Sequence, residues 1–313
     1  MITIDPISFN LWHHDKAAFA KAIGDSFKET GFAIISDHTI PNSVIENADA
    51  VSKAYFALPE AVKRSYADPE NGHQRGHSPF GSENAKGNET ADQKEFWHTG
   101  RALPEDSPYR KSMKDTPSVK EIDGFDTQSR ALFGALDDFG LNLLQAIALY
   151  LGLDEHWFDN KVNFGNSILR FLHYPAQTSP PEQGSIRAAA HEDINVITLL
   201  LGAEEAGLQA KHRSGVWLDV NAPKGAIVIN CGDMLQRLTA GILPSTTHRV
   251  LNPKPERAKH PRYSKPFFLH FNNDVMIEAL PSCLAQGGIA EAPISAEDYL
   301  KERLYEIGLL KPA

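Results

Sequence analysis

Three titratable side chains stand in a row at the entrance to a strongly apolar run, in AAAHEDINVITLLL, residues 188–201. On extended backbone His191 and Asp193 project from one face and Glu192 from the other, because side chains alternate across a strand. An imidazole beside a carboxylate can hold a metal ion, form an acid–base dyad or merely share a hydrogen bond. A third donor narrows the choice. Among thirteen histidines His248 stands in a similar setting, where the polar run Pro244–Thr247 enters the apolar pair Val250–Leu251. Two histidines and one carboxylate form a facial set that leaves three positions of an octahedral iron open for cosubstrate and dioxygen. Closed tetrahedral zinc wants a fourth protein ligand or a catalytic water, and no cysteine is offered here.

A short distance on comes Arg262-Tyr263-Ser264. As alternating strand positions Arg262 and Ser264 face one side, and a guanidinium with a hydroxyl suits a carboxylate. Arg249 adjoins His248 and is expected on the opposite face.

The elements that must position these side chains change character halfway along the chain. Helical spacing of Phe19, Ala22, Ile23 and Phe27 predicts a helix over 15–30, capped by Asp15 and ended by Gly31. A short strand at 32–35, a helix opened by Pro41 and another over 59–66 follow. Residues 68–108 read as one long polar loop. The longest helix is expected over 127–151, with Leu132, Leu136, Phe139, Leu143 and Ile147 on one stripe and Gly152 behind it. From Ser167 the pattern becomes strands, over 167–174, 194–201, 208–211, 217–220, 226–230, 248–251 and 267–271. Short strands with turn signals and no intervening helices point to an antiparallel sandwich or barrel. Ser295 is placed to cap a last helix over 295–307.

Taken in order, Leu172-His173-Tyr174-Pro175, His191-Glu192-Asp193, His248 and Arg262-Tyr263-Ser264 resemble the 2-oxoglutarate- and Fe(II)-dependent dioxygenases, in particular the isopenicillin N synthase-like branch. The 55 positions from Asp193 to His248 resemble that branch too, as do Gly31–Ile35 and Gln74–His77 in the first half. The 14 positions from His248 to Arg262 exceed the usual interval, and residues 252–261 read as a hairpin insertion.

The resemblance implies a mainly β fold with flanking helices. A double-stranded β-helix (jelly roll) core would carry a helical or mixed N-terminal region, residues 1–120, packed on a unit of 121–313. It implies Fe(II) on His191, Asp193 and His248, and 2-oxoglutarate as cosubstrate with its distal carboxylate on Arg262 and Ser264. Tyr174 would be a further contact, and O2 the oxidant. Hydroxylation, desaturation or ring formation on a small metabolite would follow, with succinate and CO2 as co-products. An iron oxidase that uses no 2-oxoglutarate, or a non-catalytic jelly-roll binder, are the competing readings. Arg75 is the candidate substrate contact, set against a surface arginine in a Gly-rich turn. His73, His77 and His98 read as surface residues, and Phe96 and Trp97, in the segment 92–97, as packing.

The formal net charge of −9 argues against a nucleic-acid binder. Only Cys231 and Cys283 are present, so a disulfide framework is not expected and a reducing cytoplasm fits. No basic-then-apolar leader and no apolar run near 18 residues is seen. The expectation is a cytoplasmic enzyme, monomeric or weakly oligomeric, free of membrane and nucleic acid.

Overall fold

The chain opens with strand β1 (Pro6–Ser8) and helix α1 (Asn10–His14) in a computed structural model that describes residues 3–82, 94–176, 187–201, 207–253 and 255–309. The Asp15 carboxylate then accepts from the Ala18 amide at 2.9 Å, starting α2 (Lys16–Thr30). Gly31, at a left-handed φ of +73°, ends it. That conformation suits glycine, and a Cβ there would meet Thr246 Oγ1 at 2.2 Å. Strand β2 (Phe32–Ser36) follows, then α3 (Asn42–Phe56), with Pro41 as its N-cap, and α4 (Glu60–Arg64).

The expected loop over 68–108 is corrected by the structure. It contains strands β3 (Gly76–Ser78) and β4 (Glu95–Gly100), and every residue of both is buried. In β4 the alternation of Phe96 and His98 against Trp97 and Thr99 does not register as hydrophobic periodicity, because both faces are covered. Asp92 and Gln93 lie outside the described residues.

Helix α5 (Phe125–Tyr150) is long and apolar enough to cross a bilayer by length and composition, yet Leu132, Leu136, Leu143 and Ile147 are fully buried against protein. Each such side chain contributes roughly 1.5–3 kcal/mol. The short α6 (Asp159–Val162) leads into β5 (Ile168–Tyr174) and β6 (Ala188–His191). Next come β7 (Ile197–Leu201), β8 (Leu208–Lys211), β9 (Trp217–Asp219), β10 (Ile227–Cys231) and α7 (Asp233–Leu238). Strand β11 (His248–Val250), α8 (Pro255–Ala258), β12 (Arg262–Ser264) and β13 (Pro266–Leu269) complete the two main sheets. The chain continues through α9 (Pro281–Leu284) to α10 (Ala296–Glu306), where the Ser295 hydroxyl caps the Asp298 amide. Thus α8 occupies the expected insertion at 252–261, of which Lys254 lies outside the described residues.

Among the described residues nine strands form the larger sheet, in the order β1-β2-β10-β7-β13-β5-β4-β3 with β12 also paired to β5. The smaller sheet runs β6-β11-β8-β9. The two sheets are the layers of a jelly roll. Residues 1–120 do more than pack on it, since β1 to β4 are strands of the larger sheet itself.

Register sorts that sheet into two faces. Ile35, Ile229, Leu199, Phe267, Leu169 and Trp97 share the outer face, where α2, α3 and α5 cover them in the main core. The inner face carries Phe32, Asn230, Thr198, Phe268, Ile168, Arg170 and His98. Phe32, Ile34 and Val228 pack there against Ala210 of the smaller sheet. The outer face is the source of cohesion, and the inner face holds the polar side chains.

His77 is a correction to the surface reading. It is fully buried, and neither ring nitrogen has a hydrogen-bond partner among the described residues. Burial pushes its pKa down to about 4, although the neighbouring Glu95 opposes the shift. An unfolded histidine titrates near 6.5, so the unfolded chain binds the proton first. Stability from keeping His77 neutral is complete above pH 6.5 and is lost as pH falls toward 4. We expect the midpoint of thermal unfolding to drop over that window, and His77→Phe to flatten the drop without lowering the midpoint at pH 7.5. An equal acid slope in the variant would show that other groups cause it.

Candidate functional site

Strand β6 ends at His191, and residues 192–196 cross from the smaller to the larger sheet before β7 begins. The expected single strand over 194–201 therefore starts later, and His191 and Asp193 do not share a strand face. The sheet crossing brings them together instead. His191 Nε2 lies 3.8 Å from Asp193 Oδ1, and His248 Nε2 lies 3.9 Å from Asp193 Oδ2. His248 pairs directly with His191 across β11 and β6, and their ring centroids are 4.4 Å apart. One donor atom from each residue falls within 4.8 Å of the others. First-row metal bonds to imidazole and carboxylate run near ~2 Å, so a single ion can bridge such gaps.

The remaining atoms are held as a ligand set requires. His191 Nδ1 faces the Ala189 carbonyl at 2.7 Å and His248 Nδ1 the Thr246 carbonyl at 3.1 Å. A carbonyl only accepts, so both Nδ1 atoms donate and both Nε2 lone pairs are left for a metal. The Asp193 carboxylate accepts from Thr198 Oγ1 at 2.6 Å and Asn230 Nδ2 at 2.8 Å, two neighbours on the inner face. Burial alone would raise its pKa. The His248 and His191 rings and these two hydrogen bonds outweigh that and hold it below the ordinary carboxylate range. The donor set fits Fe(II) better than zinc: two neutral imidazoles, one ionised carboxylate and no thiolate.

The loop under Asp193 is fixed through backbone. Gly232 N donates to Val196 O at 2.9 Å, Asp233 N to Asp193 O at 2.7 Å and Met234 N to Asn195 O at 3.1 Å. A Cβ on Gly232 would lie 2.0 Å from the Asn195 carbonyl oxygen, so glycine permits this approach. The α7 turn that supplies these donors has no counterpart in the sequence reading.

Arg262, Ser264 and Tyr174 lie on adjacent strands. Strand β12 pairs with β5 so that Arg262 stands opposite Tyr174 and Ser264 opposite Leu172, and all three candidates are buried on the inner face. The Arg262 guanidinium lies 5.5 Å from the Tyr174 ring centre. Sequence reasoning missed Arg187, also buried and 5.6 Å from the same ring. It precedes β6 without a pattern to mark it. Arg249 turns away, stacked on Trp217 at 4.0 Å and bonded to Gln209, as its position beside His248 predicts.

A cavity of about 360 Å³ opens beside His191 and Asp193. Gln74, His98, Arg170, Phe268, His270 and Arg303 are among its lining residues, and Leu300, Leu304 and Ile307 bring α10 over it. His98 is thus a buried wall residue and not a surface one. Phe96 packs with Leu172 and Tyr174, while Trp97 joins the main core. Glu192 lines the same cavity and accepts from the Thr247 hydroxyl, so it does not simply face away. Arg75 is not at the surface: it is 3% exposed, and it donates to the carbonyls of Lys114 and Gln74 and to Asn166 Oδ1. Its guanidinium ties loops together. A second cluster, Glu60, His77 and Glu95, has ligand-like spacing, but Lys63 Nζ sits 2.6 Å from Glu95 and 3.3 Å from Glu60. An ammonium already supplies the positive charge there.

Residues 4–121 match the family model of the non-haem dioxygenase in morphine synthesis N-terminal region, and residues 165–271 that of the 2OG-Fe(II) oxygenase superfamily. A 2-oxoglutarate-Fe(II) type oxidoreductase of Emericella nidulans is 31% identical, over 91% of this chain and 84% of its own. A 2OG-Fe(II) oxygenase family protein from Caulobacter crescentus is 47% identical with a TM-score of 0.91, covering 98% of this chain and 100% of its own. A full-length Neurospora crassa protein, solved in complex with α-ketoglutarate and thymine, is 30% identical with a TM-score of 0.85, covering 96% of each chain.

Two measurements follow from the support around Asp193. Asn230→Ala or Thr198→Val is expected to weaken Fe(II) binding roughly 10–100-fold, as loss of an outer partner of a metal ligand does. Titration with Mn(II) under nitrogen, read by paramagnetic relaxation, would measure it, and unchanged affinity would deny these residues that role. Gly232→Ala is expected to destabilise the fold by about 2–4 kcal/mol in chemical unfolding and to weaken metal binding with it.

Proposed function

This chain belongs to the 2OG-Fe(II) oxygenase superfamily and is an Fe(II)- and 2-oxoglutarate-dependent oxidoreductase of small molecules. From that premise we propose that it hydroxylates, desaturates or cyclises its substrate at a C–H bond lying in the cavity beside His191 and Asp193. The observation that carries this reading is a division of the inner face. The ligand triad and the cavity lie together, while the buried arginines Arg262 and Arg187 flank Tyr174 at the far end of β5.

His191, Asp193 and His248 would hold the iron, whose chemistry is to couple oxidative decarboxylation of 2-oxoglutarate to oxidation of a C–H bond. Arg262 and Ser264 would receive the distal carboxylate of 2-oxoglutarate, a planar fork and a hydroxyl suited to charge-assisted hydrogen bonds in a buried setting. The Arg187 guanidinium adds positive potential to the same corner. Helix α10 and the apolar residues Ile168 and Phe268 line the cavity beside the reacting centre. Two buried, unpaired cysteines support a cytoplasmic setting, and we take the enzyme to act there as a monomer or weak homo-oligomer.

The test is iron-dependent succinate release from 2-oxoglutarate by the wild-type protein, which His191→Ala should abolish. Arg262→Gln should raise the Kd for 2-oxoglutarate roughly 100-fold, since removing one member of a buried charge pair costs about 2–5 kcal/mol, and leave Mn(II) affinity within a factor of two. Turnover of a substrate without consumption of 2-oxoglutarate would overturn the reading.

A further inference from the structure

The cavity beside the triad is bordered by a helix that carries a cation. Leu300, Leu304 and Ile307 stand at helical spacing on α10 and line the cavity. Arg303 lines it as well, half-buried, but its guanidinium is engaged elsewhere. Nη2 lies 3.4 Å from Asp233 Oδ2, and Nη1 lies 2.6 Å from Glu306 on its own helix. The start of α10 is fastened by backbone, with Ala296 N donating to Val275 O at 2.9 Å and Glu297 N to Asn273 O at 3.0 Å. Beyond that turn, Arg303 ties the helix to α7 through Asp233. Tyr299 adds a second contact, its ring centre 5.3 Å from the Arg237 guanidinium of α7.

Asp233 faces two ways. Its carboxylate meets α10, and its amide donates to the Asp193 carbonyl at 2.7 Å. The residue is buried. Burial and the like charges of Glu192 and Asp193 work against its ionised form, while the neighbouring Ser245 hydroxyl and Arg303 favour it. Taking away the cation leaves a buried carboxylate without its ion partner, which is strongly unfavourable. The flanking residues leave little slack to relieve that. Gly232 approaches Asn195 with no room for a Cβ, and Met234 N donates to Asn195 O. A shift of Asp233 is therefore passed to residues 193–195, and so to a carboxylate of the triad.

We propose that Arg303 is a positioning residue for the metal centre: through Asp233 it ties α10 to the loop of Asp193, so that loading of the metal and seating of α10 beside the cavity favour one another. The assignment rests on the ligand set His191, Asp193 and His248. Linkage makes the effect reciprocal. A substrate packed against Leu300 and Leu304 tightens the metal site, and the empty enzyme holds its metal less firmly. Charge alone predicts the opposite sign. Acting only through its field, Arg303 would repel a divalent cation, and its loss would tighten binding. Acting as a tie, its loss loosens binding.

The experiment is Mn(II) titration of the full chain under nitrogen, read by paramagnetic relaxation, paired with amide hydrogen exchange of α10 with and without Mn(II). Arg303→Gln should weaken Mn(II) binding about tenfold, the lower end for loss of an outer partner of a metal ligand, and Arg303→Lys should recover most of it. Arg303→Gln combined with Asp233→Asn, which leaves the net charge unchanged, should show the same loss. In wild type, Mn(II) should slow exchange of amides 300–309 by about the same factor, and in Arg303→Gln by less than about twofold. Unchanged or tighter Mn(II) binding by Arg303→Gln, wild-type affinity in the double variant, no slowing in wild type, or slowing that survives Arg303→Gln would each overturn the proposal. Arg303→Met, which keeps the apolar stem, takes the place of Arg303→Gln should that variant not fold. Failure of the wild type itself to bind Mn(II) would instead sink the ligand set.

Discussion

A buried carboxylate sets the terms for much of this structure. Asp193 is 8% exposed, and an ionised group so placed is unfavourable unless hydrogen-bonded and faced by positive charge. Thr198 and Asn230 answer the first need from two strands in the middle of the larger sheet. The second is met, in the loaded enzyme, by iron. Polar side chains inside central strands are poor choices for cohesion alone. Their presence makes sense once the carboxylate is given.

That requirement reaches the backbone as well. The loop bearing Asp193 crosses between sheets, where ladder hydrogen bonds end. The turn into α7 replaces them with three amides, and Gly232 lets the two segments approach closely enough. The loop is then held by rigid elements on either side, which is what a metal ligand needs if its position is to be set before the ion arrives.

Because the inner face is given to polar groups, stability must come from elsewhere. The outer face of the same strands meets α2, α3 and α5 in an extended apolar cluster running from Phe9 to Tyr299. The helices of the first half thus serve the site indirectly, by stabilising a sheet whose other face is chemically costly. Smaller polar networks add to that cost, among them buried Lys63 between exposed Glu60 and buried Glu95, with Glu95 also bonded to His173. They join α4, β4 and β5 behind the Arg170 row.

Much of this was legible in the residues. Caps such as Asp15, Gly31 and Ser295 act within one turn, and the stripe on α5 repeats at helical spacing, so local sequence carries them. His191, Asp193, His248, Arg262, Ser264 and Tyr174 were legible by type and order. Strands β3 and β4, Arg187 and the α7 turn were not, because burial on both faces erases periodicity and a lone arginine has no pattern around it. The sequence by itself nominated the side chains that could bind a metal and a dicarboxylate, and it marked the capped helices and the strands from Ser167 onward. Only the tertiary structure decided that His191 and Asp193 meet through a sheet crossing, that Arg75 is spent on loop carbonyls, and that Arg170 and Arg262 share one face at a distance. Those outcomes depend on strand register and sheet packing, which join residues far apart in the chain and leave no local trace.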